Sequence, residues 1–278
     1  MITPNYECDN EFLKLLSHHS DVDLTMVALE IARDVYPALD FSETLNWIDD
    51  RADELAGVIA LAETEEAALK EISKCLCDKH GIQGRSDSFH HPESSYLNKV
   101  IETGSGIPIS LSILYMAIGN RLGMTLTGVA SPMHFLVRYE SMEGPLFIDA
   151  FSRCRILKEE ECIQWLNQIS SYEKSLIESS LGSAEPRYVV IRLLNNLKTL
   201  YASKENWKLA WMTQHRLTGL QPSDYASRRD LGVFSVLAER PDQAIDLLKS
   251  CLKTCPESDK ELLQDHLDIA EKQIARFN

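Results

Sequence analysis

The stretch that decides the fold runs from Gly104 to Phe151. It opens GSGIPISLSILYMAIGNRLGM (residues 104–124) and closes HFLVRYESMEGPLFIDAF (residues 134–151). In the first half Leu111, Leu114, Tyr115, Ile118 and Leu122 recur at three and four residues, the spacing of one helix face. Pro108 suits the helix start, where its missing N–H costs nothing, and Gly123 suits the end. In the second half the period falls to two. Phe135, Val137 and Tyr139 alternate with His134, Leu136 and Arg138, so His134–Glu140 reads as a strand. Leu126–Ala130 and Leu146–Phe151 read as strands beside it, with Met142–Gly144 as the turn.

Toward the N-terminus the pattern is helical over 10–80. Leu24, Val27, Ala28, Ile31 and Val35 form one face, and Pro37 stops it. Ser42 is the expected cap of a helix carrying Leu45, Ile48, Leu55 and Ile59. A further helix is expected over Glu65–His80, closed by Gly81. Residues 81–98, GIQGRSDSFHHPESSYLN, read as a loop.

Toward the C-terminus the chain is helical again from about Arg187 to Arg276. Ala210 and Ala244 are 34 residues apart, as are Pro222 and Pro256, Leu197 and Leu231, and Trp211 and Ile245. That period is the tetratricopeptide spacing, in which each unit is a helix pair that buries its apolar face on its neighbours.

Composition restricts the function classes. The 278 residues carry 42 acidic and 28 basic side chains, a net charge of −14. Such a surface repels phosphate backbones, so nucleic acid is not an expected partner. No run approaches 18 apolar residues, so no membrane span is expected. The opening MITPNYECDNEF lacks a basic flank and an apolar run, so no signal peptide is expected. The seven cysteines are odd in number and scattered, which fits reduced thiols in a cytoplasm better than a disulfide framework.

Helix, strand, His-bearing strand and Asp-bearing strand, in that order, is the arrangement of papain-like and transglutaminase-like Cys-His-Asp enzymes. There a thiol at a helix N-terminus gives its proton to the His, and the Asp orients the imidazole. If Glu140 pairs with Pro145, Leu136 lies opposite Asp149, and His134 becomes a diagonal neighbour of Asp149 on one face. A slip of one residue would separate them. The thiol is missing: no cysteine lies between Cys77 and Cys154, and Pro108 or Ile109 stands where the nucleophile belongs. Three substitutes are open. Ser110 and Ser112 lie on the helix, but a hydroxyl needs a strong base and an oxyanion hole, and Ser110 also fits as a helix-terminal acceptor. Cys154 follows Asp149 by five residues, flanked by Arg153 and Arg155, which would favour a thiolate.

The run YLNKVIETGSGIPISLSILYMAIGNRLGMTLTGVASPMHFLVRYE, followed by LFIDAF, resembles the SirB family of transglutaminase-like/tetratricopeptide proteins. LTMVALEIARDVYPALD, RLLNNLKTLY and RRDLG resemble it too, so the likeness covers nearly the whole chain. The resemblance implies a bacterial, cytosolic protein with relatives fused to F-box modules in animals. It implies a transglutaminase-like core that keeps the His and Asp positions, matched here by His134 and Asp149, and usually lacks the Cys. This chain departs from the family's Pro-Gly-His at Pro132-Met133-His134 and from its Asp-Pro-Phe at Asp149-Ala150-Phe151. Glu102, Thr103, Gly104 and Ser105 stand where the family often has arginines, and Ser94-Ser95-Tyr96-Leu97 replaces Asn-Ser-Tyr-Leu.

The expected fold is therefore α+β. A transglutaminase-like domain spans 1–180, with helices over 10–80 and a papain/transglutaminase-like core with a small antiparallel sheet over 95–157. Tetratricopeptide-like helical repeats follow over 185–278. The expected function is non-catalytic binding, scaffolding or regulation, with a protein or peptide as partner. The alternative is a cryptic hydrolase or acyltransferase using Cys154, Ser110 or Ser112 with His134 and Asp149. Arg228, Arg229, Trp207 and Trp211 are the binding candidates on the repeats. Cys75, Cys77 and His80, with His90 and His91, suggest a metal, but C-x-C spacing is unlike structural zinc and puts the thiols on different helix faces. No metal or cofactor is expected.

Overall fold

A computed structural model describes residues 6–275; Met1–Asn5, Arg276 and the two residues after it lie outside it, and with them the start of the stretch tested for a signal peptide. The chain forms two compact units, Asp9–Leu193, and Leu194–Asn278 together with Met1–Cys8.

The larger unit begins with α1 (Asn10–Leu16), α2 (Leu24–Arg33) and α3 (Phe41–Ala60). Asp23 caps α2 through the Thr25 and Met26 N–H groups. Asp40, not Ser42, caps α3: its carboxylate accepts from the Ser42 N–H, because the chain is still extended at Asp40 and already helical at Phe41. Helix α4 (Glu65–Lys74) does not run on to His80 as an α-helix. It widens into a π-helical turn over Cys75–Lys79, and Gly81 then takes the left-handed conformation (φ 67°). Two short parallel strands, β1 (Gln83–Gly84) and β2 (Ser105–Gly106), flank α5 (Leu97–Thr103).

Helix α6 (Pro108–Arg121) is the centre of this unit. Every residue from Pro108 to Gly119 is buried, so the helix is apolar all round and covered on all sides. It packs against α2, α3, α4 and α5 and against strands β3 (Leu126–Val129) and β4 (Leu136–Ser141). Gly119 lets β3 approach: a Cβ there would lie 2.2 Å from a Leu126 methyl. Strands β3, β4, β5 (Gly144–Asp149) and β6 (Arg155–Lys158) form one antiparallel meander in that order. Glu140 pairs with Pro145, and Met142–Glu143 are the two residues of the hairpin turn. The far face of the sheet is closed by α7 (Glu159–Ile169) and α8 (Lys174–Ser179), with Leu136, Phe147, Leu157, Cys162, Leu166 and Ile177 in one apolar cluster.

Helix α9 (Pro186–Ser203) spans the division between the units. The smaller unit continues with α10 (Trp207–Leu220), α11 (Tyr225–Leu237), α12 (Pro241–Leu252) and α13 (Lys260–Ala275), each packed on the next. Ala210 and Ala244, the small residues 34 apart, are fully buried at matching points of α10 and α12. Pro222 and Pro256 follow those two helices. Among the described residues no helix is long and apolar enough to cross a membrane. Sheet, transglutaminase-like core and helical C-terminal region make the fold α+β.

Candidate functional site: an imidazole–carboxylate pair on the meander

Asp149 ends β5, and the Glu140–Pro145 register sets Leu136 opposite it. His134 lies two residues before Leu136, ahead of β4 and not inside it. The reason is Met133, which adopts φ 63° and breaks the extended run. Glycine takes that conformation at no steric cost, so Met133 stands strained there.

His134 Nε2 lies 2.7 Å from Asp149 Oδ1. The carboxylate is fully buried and the imidazole side chain is 11% exposed. Asp149 Oδ1 also accepts from the Ser152 N–H at 3.2 Å. Burial pushes the Asp149 carboxyl up, but the hydrogen bond and charge of His134 and the Ser152 donor outweigh it, leaving it below its ordinary value. Asp149 Oδ2 has no hydrogen-bond partner; its nearest cation is the Arg155 guanidinium at 3.7 Å. Trp165 of α7 meets the imidazole edge-on at 5.0 Å and carries Arg155 over its ring at 4.6 Å. Phe151 approaches perpendicular at 6.3 Å. With Nε2 committed, Nδ1 is the nitrogen left to take a proton from a nucleophile.

None of the three substitutes is hydrogen-bonded to that nitrogen. Ser110 is fully buried; its hydroxyl donates to Ser94 O at 2.6 Å and accepts from the Ile107 N–H at 3.1 Å, tying down the first turn of α6. Ser112 is fully buried, with a hydroxyl that has no hydrogen-bond partner. Cys154, 4% exposed, directs Sγ to Cys77 Sγ at 3.4 Å. The contact with Cys77, and then burial, push the Cys154 thiol well above its ordinary value, the reverse of activation by its flanking arginines. Arg153 instead pairs with Asp78 and Gln83.

The two thiols of the C-x-C do face different partners. Cys77 meets Cys154, whereas Cys75 Sγ lies 3.7 Å from Glu54 Oε1 of α3. His80 Nε2 is 3.4 Å from the other oxygen of that carboxylate. His90 and His91 remain exposed on the loop, outside that cluster.

The repeat-region candidates are engaged within their own unit. Arg229 binds Asp230 and Asp259 at 2.7 and 2.9 Å, and both hold its guanidinium above its ordinary value. Arg228 donates to Pro222 O at 2.8 Å. Trp211 is buried, donates Nε1–H to Ser235 at 3.0 Å and lies under Arg240. Trp207 is half-buried against Phe234. Sequence reasoning missed Trp165 and Glu54. Each lies on a helix whose orientation depends on tertiary packing; only an acidic residue near the helical level of Cys75 would have pointed to Glu54.

Comparison with known proteins agrees with this architecture. Residues 42–195 match the model of the transglutaminase-like superfamily. The chain is 30% identical to a UPF0162 protein of Xylella fastidiosa, over 96% of this chain and 93% of that one. It is 28% identical to SirB1 of Salmonella typhimurium, over 80% and 86%. A match to F-box only protein 21 of Mus musculus, 27% identical, covers 66% of this chain and 28% of that protein. No solved structure matches. Matched to the family model over more than half its length and to the UPF0162 protein nearly end to end, the chain belongs to the SirB/UPF0162 family of the transglutaminase-like superfamily.

Proposed function

We propose that this chain is a non-catalytic binding or scaffold protein built on a transglutaminase-like core that has lost its chemistry. One observation carries the reading: His134 is held by Asp149, yet the Cys154 sulfur accepts a hydrogen bond from the Cys77 thiol and the Ser110 hydroxyl donates to Ser94 O. A triad needs its nucleophile within hydrogen-bond reach of the base, or close enough to tighten on binding. Here the pair serves as a buried polar link between β5 and the segment before β4, through Asp149 Oδ1. The C-terminal helices are the partner-binding element in this reading, a tetratricopeptide-like array taking a protein or peptide.

The test uses intact reduced protein with a thiol-directed haloacetamide and a serine-directed fluorophosphonate. Expected is no labelling of Cys154, Ser110 or Ser112 in the native state beyond that in a His134→Ala variant. Labelling of one of them that disappears in His134→Ala would replace this reading with the hydrolase or acyltransferase alternative.

A further inference from the structure

The carboxylate–thiol–imidazole cluster on the opposite side of the π-helical turn belongs to neither the His134 site nor the repeats. We propose that Glu54, Cys75 and His80 form a binding site for a divalent ion of the zinc class, with three protein ligands and one position open to solvent.

Three observations carry this. First, the ligand-capable atoms of the three side chains all lie within 4.8 Å of one another. The sulfur lies 3.7 Å from Oε1 of Glu54, and the imidazole lies 3.4 Å from its Oε2. A tetrahedral ion with bonds of about 2.0–2.3 Å sets its ligand atoms about 3.3–3.8 Å apart. Second, the backbone brings the thiol and imidazole together by a specific device. Five residues along an α-helix turn roughly 140° away from the starting face. In the π turn the His80 N–H bonds to Cys75 O at 3.1 Å, which stacks residue 80 over residue 75. Third, the imidazole is oriented from behind: Trp47 meets His80 edge-on at 5.6 Å. Trp47 is itself fixed by Arg51, whose guanidinium lies 5.0 Å over its ring.

The donor set is one thiolate, one imidazole and one carboxylate, which selects zinc or cobalt over magnesium or calcium. Two cations sit beside it. Lys79 contacts Glu54 Oε1 at 2.6 Å, but its side chain is 60% exposed and can swing into solvent when a metal takes that oxygen. Arg51 Nε, 3.4 Å from Glu54 Oε2, stays, and Asp50 lies 3.9 Å from the same guanidinium. On binding, the Cys75 thiol releases its proton to solvent and the sulfur donates to the ion.

The experiment titrates the full-length, reduced, chelator-treated protein with Co(II). Expected is a thiolate-to-cobalt charge-transfer band that saturates at one equivalent and is displaced by Zn(II). Cys75→Ser should abolish the band, Glu54→Gln and His80→Gln should each weaken binding more than about tenfold, and Cys77→Ser should leave it intact. Zn(II) should raise the Tm of the parent and of Cys77→Ser. If Cys75→Ser does not fold, His80→Gln decides, since that side chain reaches solvent: unchanged cobalt affinity and an unchanged zinc shift in it overturn the site. So does a band that survives Cys75→Ser, that depends on Cys77, or that never appears.

Discussion

The larger unit contains two imidazole–carboxylate pairs, and they are built in opposite ways. His134 meets a fully buried Asp149 at 2.7 Å, walled by Trp165 and Phe151, with no thiol hydrogen-bonded to it. His80 meets a Glu54 that is 26% exposed at 3.4 Å, shared with Lys79 and Arg51, and a thiol stands beside it. The second grouping is not a displaced triad. Cys75 faces the carboxylate instead of the imidazole, and burial together with Glu54 pushes its thiol up to about 11. The pair with the buried carboxylate has no thiol hydrogen-bonded to it, and the pair with a thiol beside it has a partly exposed carboxylate that the thiol faces. An imidazole beside a carboxylate says little about function until burial and the third partner are known.

The comparison predicts a large energetic gap. Asp149→Ala leaves a mostly buried imidazole without its partner, and breaking a buried pair costs about 3 kcal/mol. Urea unfolding should show that loss in its midpoint; a loss below about 1 kcal/mol would mean the pair is not structural. Because Asp149 is depressed below its ordinary 3.8 in the fold, its contribution is full above that value and lost as pH falls through the lower folded value. The parent's acid destabilisation below about pH 4 should therefore be steeper than that of Asp149→Asn.

Next in size is Gly84→Ala. Its Cβ would lie 2.2 Å from the Phe151 ring, whose backbone carbonyl the Gly84 N–H also binds at 3.1 Å. Overpacking here should cost about 2 kcal/mol and move the ring away from His134, read as a drop in Tm and a changed His134 ring resonance. Smaller and opposite in sign, Met133→Gly relieves a left-handed backbone and should stabilise by about 1 kcal/mol, net of glycine's greater unfolded-state freedom. A fall in Tm would show that the 70%-exposed Met133 side chain contributes contacts that outweigh the strain.

Much of the first site was legible in the sequence. The switch from a 3.6 to a 2.0 period located helix and hairpin, and the structure has the register that the sequence leaves conditional, Glu140 opposite Pro145, although the turn is two residues, Met142–Glu143, and not Met142–Gly144. The strand start was misplaced by two residues, since alternation alone cannot reveal the positive φ of Met133. Residues 155–185, where β6, α7 and α8 supply Arg155 and Trp165, carry no motif that announces their part in the site. The second pair was half legible. Cys75 and His80 stand out by type, but on an ideal helix they diverge, and only the π turn joins them. Glu54 is 21 residues away on another helix, and its approach is set by how α3 packs on α4.

The smallest expected effect tests the weak side of the comparison. In metal-free protein, Glu54→Gln removes one charge from a carboxylate that Lys79 holds below its ordinary value, with His80 adding to the shift. The carboxylate is partly exposed and Lys79 largely so, hence solvent screens the interaction, and the amide keeps the volume and can still accept a hydrogen bond. The change in unfolding free energy should be under about 1 kcal/mol and should shrink further in high salt. A loss comparable to that of Asp149→Ala would erase the distinction and make the cluster a structural element. A small loss leaves Glu54, Cys75 and His80 with chemistry that stability does not explain.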